Sequence, residues 1–176
     1  AADAYRAAIA AAGSSPELAS LVEQARHKLG WTHVMRKDHP AAAETFGAQL
    51  AAAPDGPLAA DASALLGDAL VSLGKPTDAA KALARAIADQ EKLSSDAIRG
   101  LAFIRAAEAA ATRQDWQESL KIAELFLEAS PDSPRAPEAR YAAAWAKQNL
   151  GRLDEALAEY RRIAEGPRTE LAARAR

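Results

Sequence analysis

Residues Ala143 to Tyr160 read AAWAKQNLGRLDEALAEY, and this stretch decides the architecture. Ala144 lies seven positions before Gly151, and Ala156 lies five positions after it. Alanine, leucine and charged residues, good helix formers, dominate both sides of the glycine. A glycine between two such segments marks a turn, because one residue there is easily left-handed. Residues Leu65 to Leu83, LLGDALVSLGKPTDAAKAL, repeat the frame with Gly67, Gly74 and Ala79.

Two further stretches fit the same frame. One places Gly30, Lys37 and Ala42 at the three positions, and the other places Ala107, Gln114 and Ser119 there. The small residues thus fall at 30, 67, 107 and 144, spaced by 37, 40 and 37. Four helical units at a near-constant period predict a helix-turn-helix solenoid, all-α and right-handed. The small residue has a physical reason. One helix of each pair crosses the other at close range, and only Gly or Ala fits at the contact. Lys37 and Gln114 stand where glycine is preferred, so those two turns are expected to be slightly strained or built differently. Prolines fall between units at Pro16, Pro54, Pro57, Pro131, Pro134, Pro137 and Pro167, or just after the turn at Pro40 and Pro76, where helices begin. Ser14, Ser15, Ser94 and Ser95 sit in linkers and read as helix N-caps.

The pattern predicts ten helices, over residues 1–12, 16–36, 40–53, 57–73, 76–92, 95–113, 115–130, 135–150, 152–165 and 167–176. The first resembles the second helix of an earlier unit, and TELAARAR near the end looks like the start of a later one. The expectation is one solenoid over 1–176, with repeats near 16–53, 57–92, 95–130 and 135–165, excised or processed from a longer array.

The residues LGRLDEALAEY (Leu150–Tyr160) and QDWQESL (Gln114–Leu120) resemble the turn and second helix of the tetratricopeptide repeat (TPR) family. The general resemblance covers almost the whole chain. The linker SPDSPRAPEARYAAAWAKQNLG (Ser130–Gly151) is similar to repeats of bacterial envelope proteins of the Tol-Pal coordinator and outer-membrane assembly lipoprotein type, mainly over residues 126–163. The resemblance implies a protein-protein interaction scaffold, and its envelope form implies a bacterial periplasmic setting; the residues themselves leave the compartment open. Family repeats carry a large apolar residue three after the small one. Here that slot holds His33, Leu70, Ala110 and Lys147, so the pairs are expected to pack lightly, with the last unit bordered by solvent or by an absent repeat.

Composition narrows the chemistry. Of 176 residues, 49% are hydrophobic but only 5% aromatic, and the net charge is −2 with both signs interspersed. Nucleic acid needs clustered Lys and Arg, which are missing. No apolar run is long enough for a membrane span. Without cysteine there is neither a disulfide framework nor thiolate chemistry. His27, His33 and His39 recur every six residues, which is not a ligand spacing on one helix face, and no HExxH occurs. Gly67, Gly74 and Lys75 are separated by helix and cannot cradle a phosphate. The carboxylates sit beside Arg and Lys on exposed faces, where ion pairing explains them. No enzyme, metal or cofactor is expected.

The first helix of each pair lines the concave side of such a solenoid. Register assigns His27, Trp31 and Val34 to that face in the first unit, and Ala64, Asp68 and Val71 in the second. It assigns Ile104, Glu108 and Ala111 in the third, and Tyr141, Trp145 and Gln148 in the fourth. Asp61 joins Asp68 and Glu108 in an acidic middle between aromatic ends. Such a groove suits a protein segment with apolar anchors and one or two basic residues. Trp31 and Trp145 are the candidate anchors; the alternative is that they pack against neighbouring first helices. Trp116 follows a turn and reads as a packing residue. The Asn and Lys pattern that clamps a terminal carboxylate in some relatives is not in these slots. Two rival readings remain: self-association through the helical ends, or a region appended to an enzyme elsewhere in a parent chain.

Overall fold

A computed structural model describes residues 1–13 and 15–165. Ser14, Pro167 and the expected helix 167–176 lie outside the described residues. Within them the chain forms α1 (Ala2–Ala12), α2 (Ala19–Met35), α3 (His39–Ala52), α4 (Ala59–Ser72), α5 (Pro76–Ala88), α6 (Asp96–Thr112), α7 (Trp116–Ala129), α8 (Ala136–Asn149) and α9 (Leu153–Glu165), with no strand. Short 3-10 turns at Pro16–Leu18 and Gln90–Lys92 replace the ends of two expected helices. Two compact units are present, Ala1–Ala102 and Phe103–Arg176.

Four tight turns join α2 to α3, α4 to α5, α6 to α7 and α8 to α9, and all four have one geometry. Lys37, Gly74, Gln114 and Gly151 are left-handed, with φ of 57°, 68°, 60° and 78°. In each, the left-handed residue donates its N–H three residues back and the next residue donates five back, as Lys37 to Val34 (2.9 Å) and Asp38 to His33 (3.0 Å). This double bond pattern closes a helix C-terminus with a left-handed residue. The turns at Lys37 and Gln114 are therefore not built differently; they adopt the same form without glycine and carry its strain. Each is followed by an aspartate that caps the second helix. Asp38 accepts the Ala41 N–H and Asp115 the Glu118 N–H, both at 3.2 Å. The two glycine turns are followed by Lys75 and Arg152 instead.

The small residues sit at the helix crossings. A Cβ on Gly30 would lie 2.6 Å from the Phe46 ring, and one on Gly67 would lie 2.3 Å from Leu83 Cγ. Ala107 and Ala144 are buried, as are Ala42, Ala79, Ser119 and Ala156 across the turns. In the first unit Ala42, Phe46, Ala62, Leu65 and Ala69 form a core over which Trp31, Val34 and Leu66 pack. In the second, Ala107, Leu120, Ala123, Ala143 and Ala146 do the same, with Phe103 and Phe126 in ring contact at 5.6 Å.

Carboxylates tie linkers to the pairs they follow. Glu23 of α2 is buried and accepts the Leu58 N–H (3.0 Å), and its carboxylate fills the space a side chain at Gly56 would need. Asp61 of α4 does the same for the Ser94 N–H (2.9 Å). Ser95 caps α6 through Ile98 N–H (3.3 Å), whereas Ser15 makes no side-chain cap bond, contrary to its expected role. Lys147 also departs from expectation. It does not border solvent: its stem is buried and its ammonium lies between Glu124 (3.4 Å) and Glu159 (3.8 Å).

Candidate functional site

Within the second unit, α6, α7 and α8 enclose an open cleft of about 310 Å³. Its lining includes Ile104, Glu108 and Ala111 from α6, Ser119 from α7, and Glu138, Tyr141 and Trp145 from α8. The spacing explains the assembly. Positions 138, 141 and 145 lie three and four apart and share one face of α8, as 104, 108 and 111 do on α6. The alanines at the crossings, Ala107 and Ala142, form the rest of the wall and keep it shallow.

Trp145 is 42% exposed despite its size, and its ring meets Trp116 edge-on at 5.3 Å. Trp116 thus packs against the tryptophan beside the cleft, as a packing residue should. Tyr141 contacts Tyr160 at 5.7 Å, and Tyr160 donates its hydroxyl to Gln148 Oε1 at 3.1 Å. Burial raises the Tyr160 pKa, with Tyr141 adding to the effect, so the phenol stays a donor. The acids at the rim are held by nearby arginines: Glu108 by Arg105 of the same helix at 2.8 Å, and Glu138 by Arg135, the residue before α8, through two bonds of 3.0 and 2.7 Å. Ser119 is different. It is 1% exposed, lines the cleft, and its Oγ has no hydrogen-bond partner among the described residues.

In the first unit the expected groove residues are taken up differently. Trp31 is half-buried on the α3–α4 core and donates its indole N–H to His27 Nε2 at 3.1 Å. Val34 packs on the same core. His27 is buried, edge-on to Phe46 at 5.7 Å. Burial holds its pKa below the ordinary value, against the opposing pull of Asp61, the Gln49 amide and Glu23. A neutral ring is also what the bond from Trp31 requires, since Nε2 must accept. Asp61 is only 3% exposed, and its carboxylate is engaged by Ser94. Asp68 is half-buried in α4.

The cleft of the second unit therefore gathers Ile104, Glu108, Tyr141 and Trp145, with Gln148 one turn beyond on the same helix. His27, Trp31, Val34 and Asp61 lie in or against the first unit's interior. Sequence reasoning missed Glu138, which one more turn back along the Tyr141–Trp145 face would have included. It also missed the Ser119 hydroxyl, read only as a small packing group. Among the described residues no group of three metal-ligating side chains occurs, and no helix is long and apolar enough to cross a membrane.

The sequence profile described as Tetratricopeptide repeat matches residues 27–97 and, one unit later, 64–134. No curated protein matches the chain. Among solved structures, the nearly identical TPR-like repeats of a candidate kinesin light chain from Podosopora anserina superpose with a TM-score of 0.70 at 16% identity, over 99% of this chain and 87% of that one. A single-substitution variant of the same repeats gives 0.70 at 17% identity, over 92% and 82%. At such identities the likeness speaks for fold alone: an all-α, TPR-like solenoid.

Proposed function

This chain belongs to the tetratricopeptide repeat family, whose members are interaction scaffolds, and on that footing we propose that it is a non-catalytic scaffold that holds a protein segment in the cleft between α6 and α8. The observation that carries the reading is Trp145, a large aromatic left open above an apolar cleft whose buried wall holds the unpartnered Ser119 hydroxyl. Rigid aromatics at the mouth of a pocket supply contact area at low entropic cost. Glu108 and Glu138 at the rim each accept from an arginine, and their remaining lone pairs can also take a basic residue beside the apolar anchor. The preferred segment is therefore a large apolar side chain next to Lys or Arg. Trp31 is not part of this surface; its contacts support a packing role.

Two finer readings attach to the proposal. Assembly of a bacterial cell-envelope complex is supported only by the linker resemblance over 126–163. Self-association through exposed helix faces is supported by Leu153 and Leu157 of α9, both exposed one turn apart; a strict monomer by light scattering at high concentration removes it. The central test is affinity selection of a random peptide library on the intact chain. Recovered peptides should carry an apolar residue beside a basic one, and should bind Trp145→Ala at least tenfold more weakly while helicity is unchanged. Peptides that bind Trp145→Ala as tightly would refute the cleft.

A further inference from the structure

A second recess lies in the first unit, far from Trp145 in sequence and built on a different surface. Both α1 and α3 pack on α2 but scarcely touch one another, so α2 is the floor of a furrow between them. The furrow opens as two adjoining clefts, of about 250 Å³ and about 230 Å³. Residues Val22, Arg26, Leu29 and His33 of α2 line it. At 100° per residue their stripe faces about 140° away from that of His27, Trp31 and Val34. The walls are small, with Gly13, Ala41, Ala48 and Ala52 leaving room for a backbone.

One residue of the α2 floor belongs to both clefts: Arg26. It is half-buried, yet its side chain makes no hydrogen bond or ion pair among the described residues. By contrast Arg6, Arg99, Arg105, Arg135 and Arg152 each hold an acid three residues away. His33 adds an independent observation. It is 4% exposed, lines the upper cleft, and its Nδ1 lacks a hydrogen bond, the Asp38 carboxylate standing 3.7 Å off. The acids nearby do not answer Arg26. Glu23 is turned to the Leu58 N–H, and Glu44 shares the upper cleft's lining without pairing with Arg26.

From these residues we infer that the furrow binds an acidic peptide segment, an extended chain whose Asp or Glu side chain pairs with the Arg26 guanidinium. A half-buried guanidinium without a counter-charge is unfavourable, and a carboxylate meets its planar fork through two parallel bonds. From Ala19 to His33 the floor of α2 runs about 21 Å at 1.5 Å per residue. That accommodates about six residues of extended chain at 3.3 Å each. Small apolar side chains beside the acid would rest on Ile9 and Leu29. This surface serves a partner chemically opposite to that of the Trp145 cleft, so one scaffold holds two different segments.

The test uses the same library on the intact chain, counter-selected against Arg26→Gln. It should yield a class of peptides with Asp or Glu among small apolar residues. That class should bind Arg26→Gln at least tenfold more weakly and Trp145→Ala equally well. On the unchanged protein, replacing the peptide's own Glu by Gln should cost a similar factor, which keeps the test decisive even if a variant folds poorly. Arg26→Lys should retain part of the affinity. The thermal midpoint of Arg26→Gln should not fall, because an unanswered charge is removed. A library with no Arg26-dependent class, a dependent class without carboxylates, or an Arg26→Gln protein that loses stability would overturn the inference. A mass that rises with concentration and reverts in Arg26→Gln would make the occupant a second copy, and would overturn it too.

Discussion

Replacing Gly67 by alanine should destabilise the chain, although the same change in an ordinary helix stabilises it. Gly67 sits inside α4, where alanine is favoured over glycine by about 1 kcal/mol. Against this, the new Cβ would lie 2.3 Å from Leu83 Cγ and 2.5 Å from Leu83 Cδ2. Carbon atoms rest at about 3.5–4.0 Å, so α4 and α5 must separate by about 1 Å or Leu83 must leave its rotamer. Leu83 is fully buried and has nowhere to go. Overpacking of this kind costs about 1–3 kcal/mol. Set against the gain from alanine, the net expectation is a loss of up to about 2 kcal/mol. With a urea slope of about 2 kcal/mol/M, the midpoint followed by circular dichroism should fall by up to about 1 M at unchanged slope. Gly47 is the control. It also lies within a helix, but nothing stands within 4 Å of its would-be Cβ, so Gly47→Ala should raise the midpoint by about 0.5 M. In a Leu83→Ala background, which itself costs about 2–5 kcal/mol, Gly67→Ala should change sign and stabilise. If Gly67→Ala stabilises the parent chain as Gly47→Ala does, close approach at the crossings is not what selects small residues.

Three further outcomes follow from the turns and the interior. Lys37→Gly and Gln114→Gly should each stabilise by about 0.5–1 kcal/mol, since both positions are left-handed; a loss in urea melts would contradict the strain. Asp115→Ala should cost about 1 kcal/mol through the lost Glu118 N–H bond, visible as a lower midpoint in the same melts. His27, whose folded pKa lies below its unfolded value near about 6.5, should give full stability above that pH. Stability should then be lost as pH falls through about 6.5, because the unfolded chain takes up the proton first; the slope is at most about 1.4 kcal/mol per pH unit and should vanish in His27→Gln.

Much of the fold was legible because its signals are local. The turn glycines, the small residue seven before each and the prolines at helix starts are constraints on backbone geometry, and these do not depend on distant partners. The shared face of Ile104, Glu108, Tyr141 and Trp145 was legible because helical spacing alone brings them to one cleft. It was misread where a linker folds over the helix. Asp61 looks like a surface acid by type, yet the Ser94 N–H that occupies it arrives from beyond the next helix. Lys147 is held differently, by Glu124 and Glu159 of two neighbouring helices that no local pattern brings together. Trp31 and Trp145 occupy the same slot of one repeating frame, and only the neighbouring helix decides which is covered.

The most direct measurement of the central claim sets Trp145→Ala beside Trp31→Ala, recording urea stability and capture of library-selected peptides for both. Trp31→Ala should lose about 2–3 kcal/mol, for a half-buried indole taken from the core. Trp145→Ala should lose less than Trp31→Ala, because Trp145 is already 42% exposed, and should lose peptide capture. A Trp145→Ala chain that unfolds, or that captures the peptides unchanged, would contradict the account.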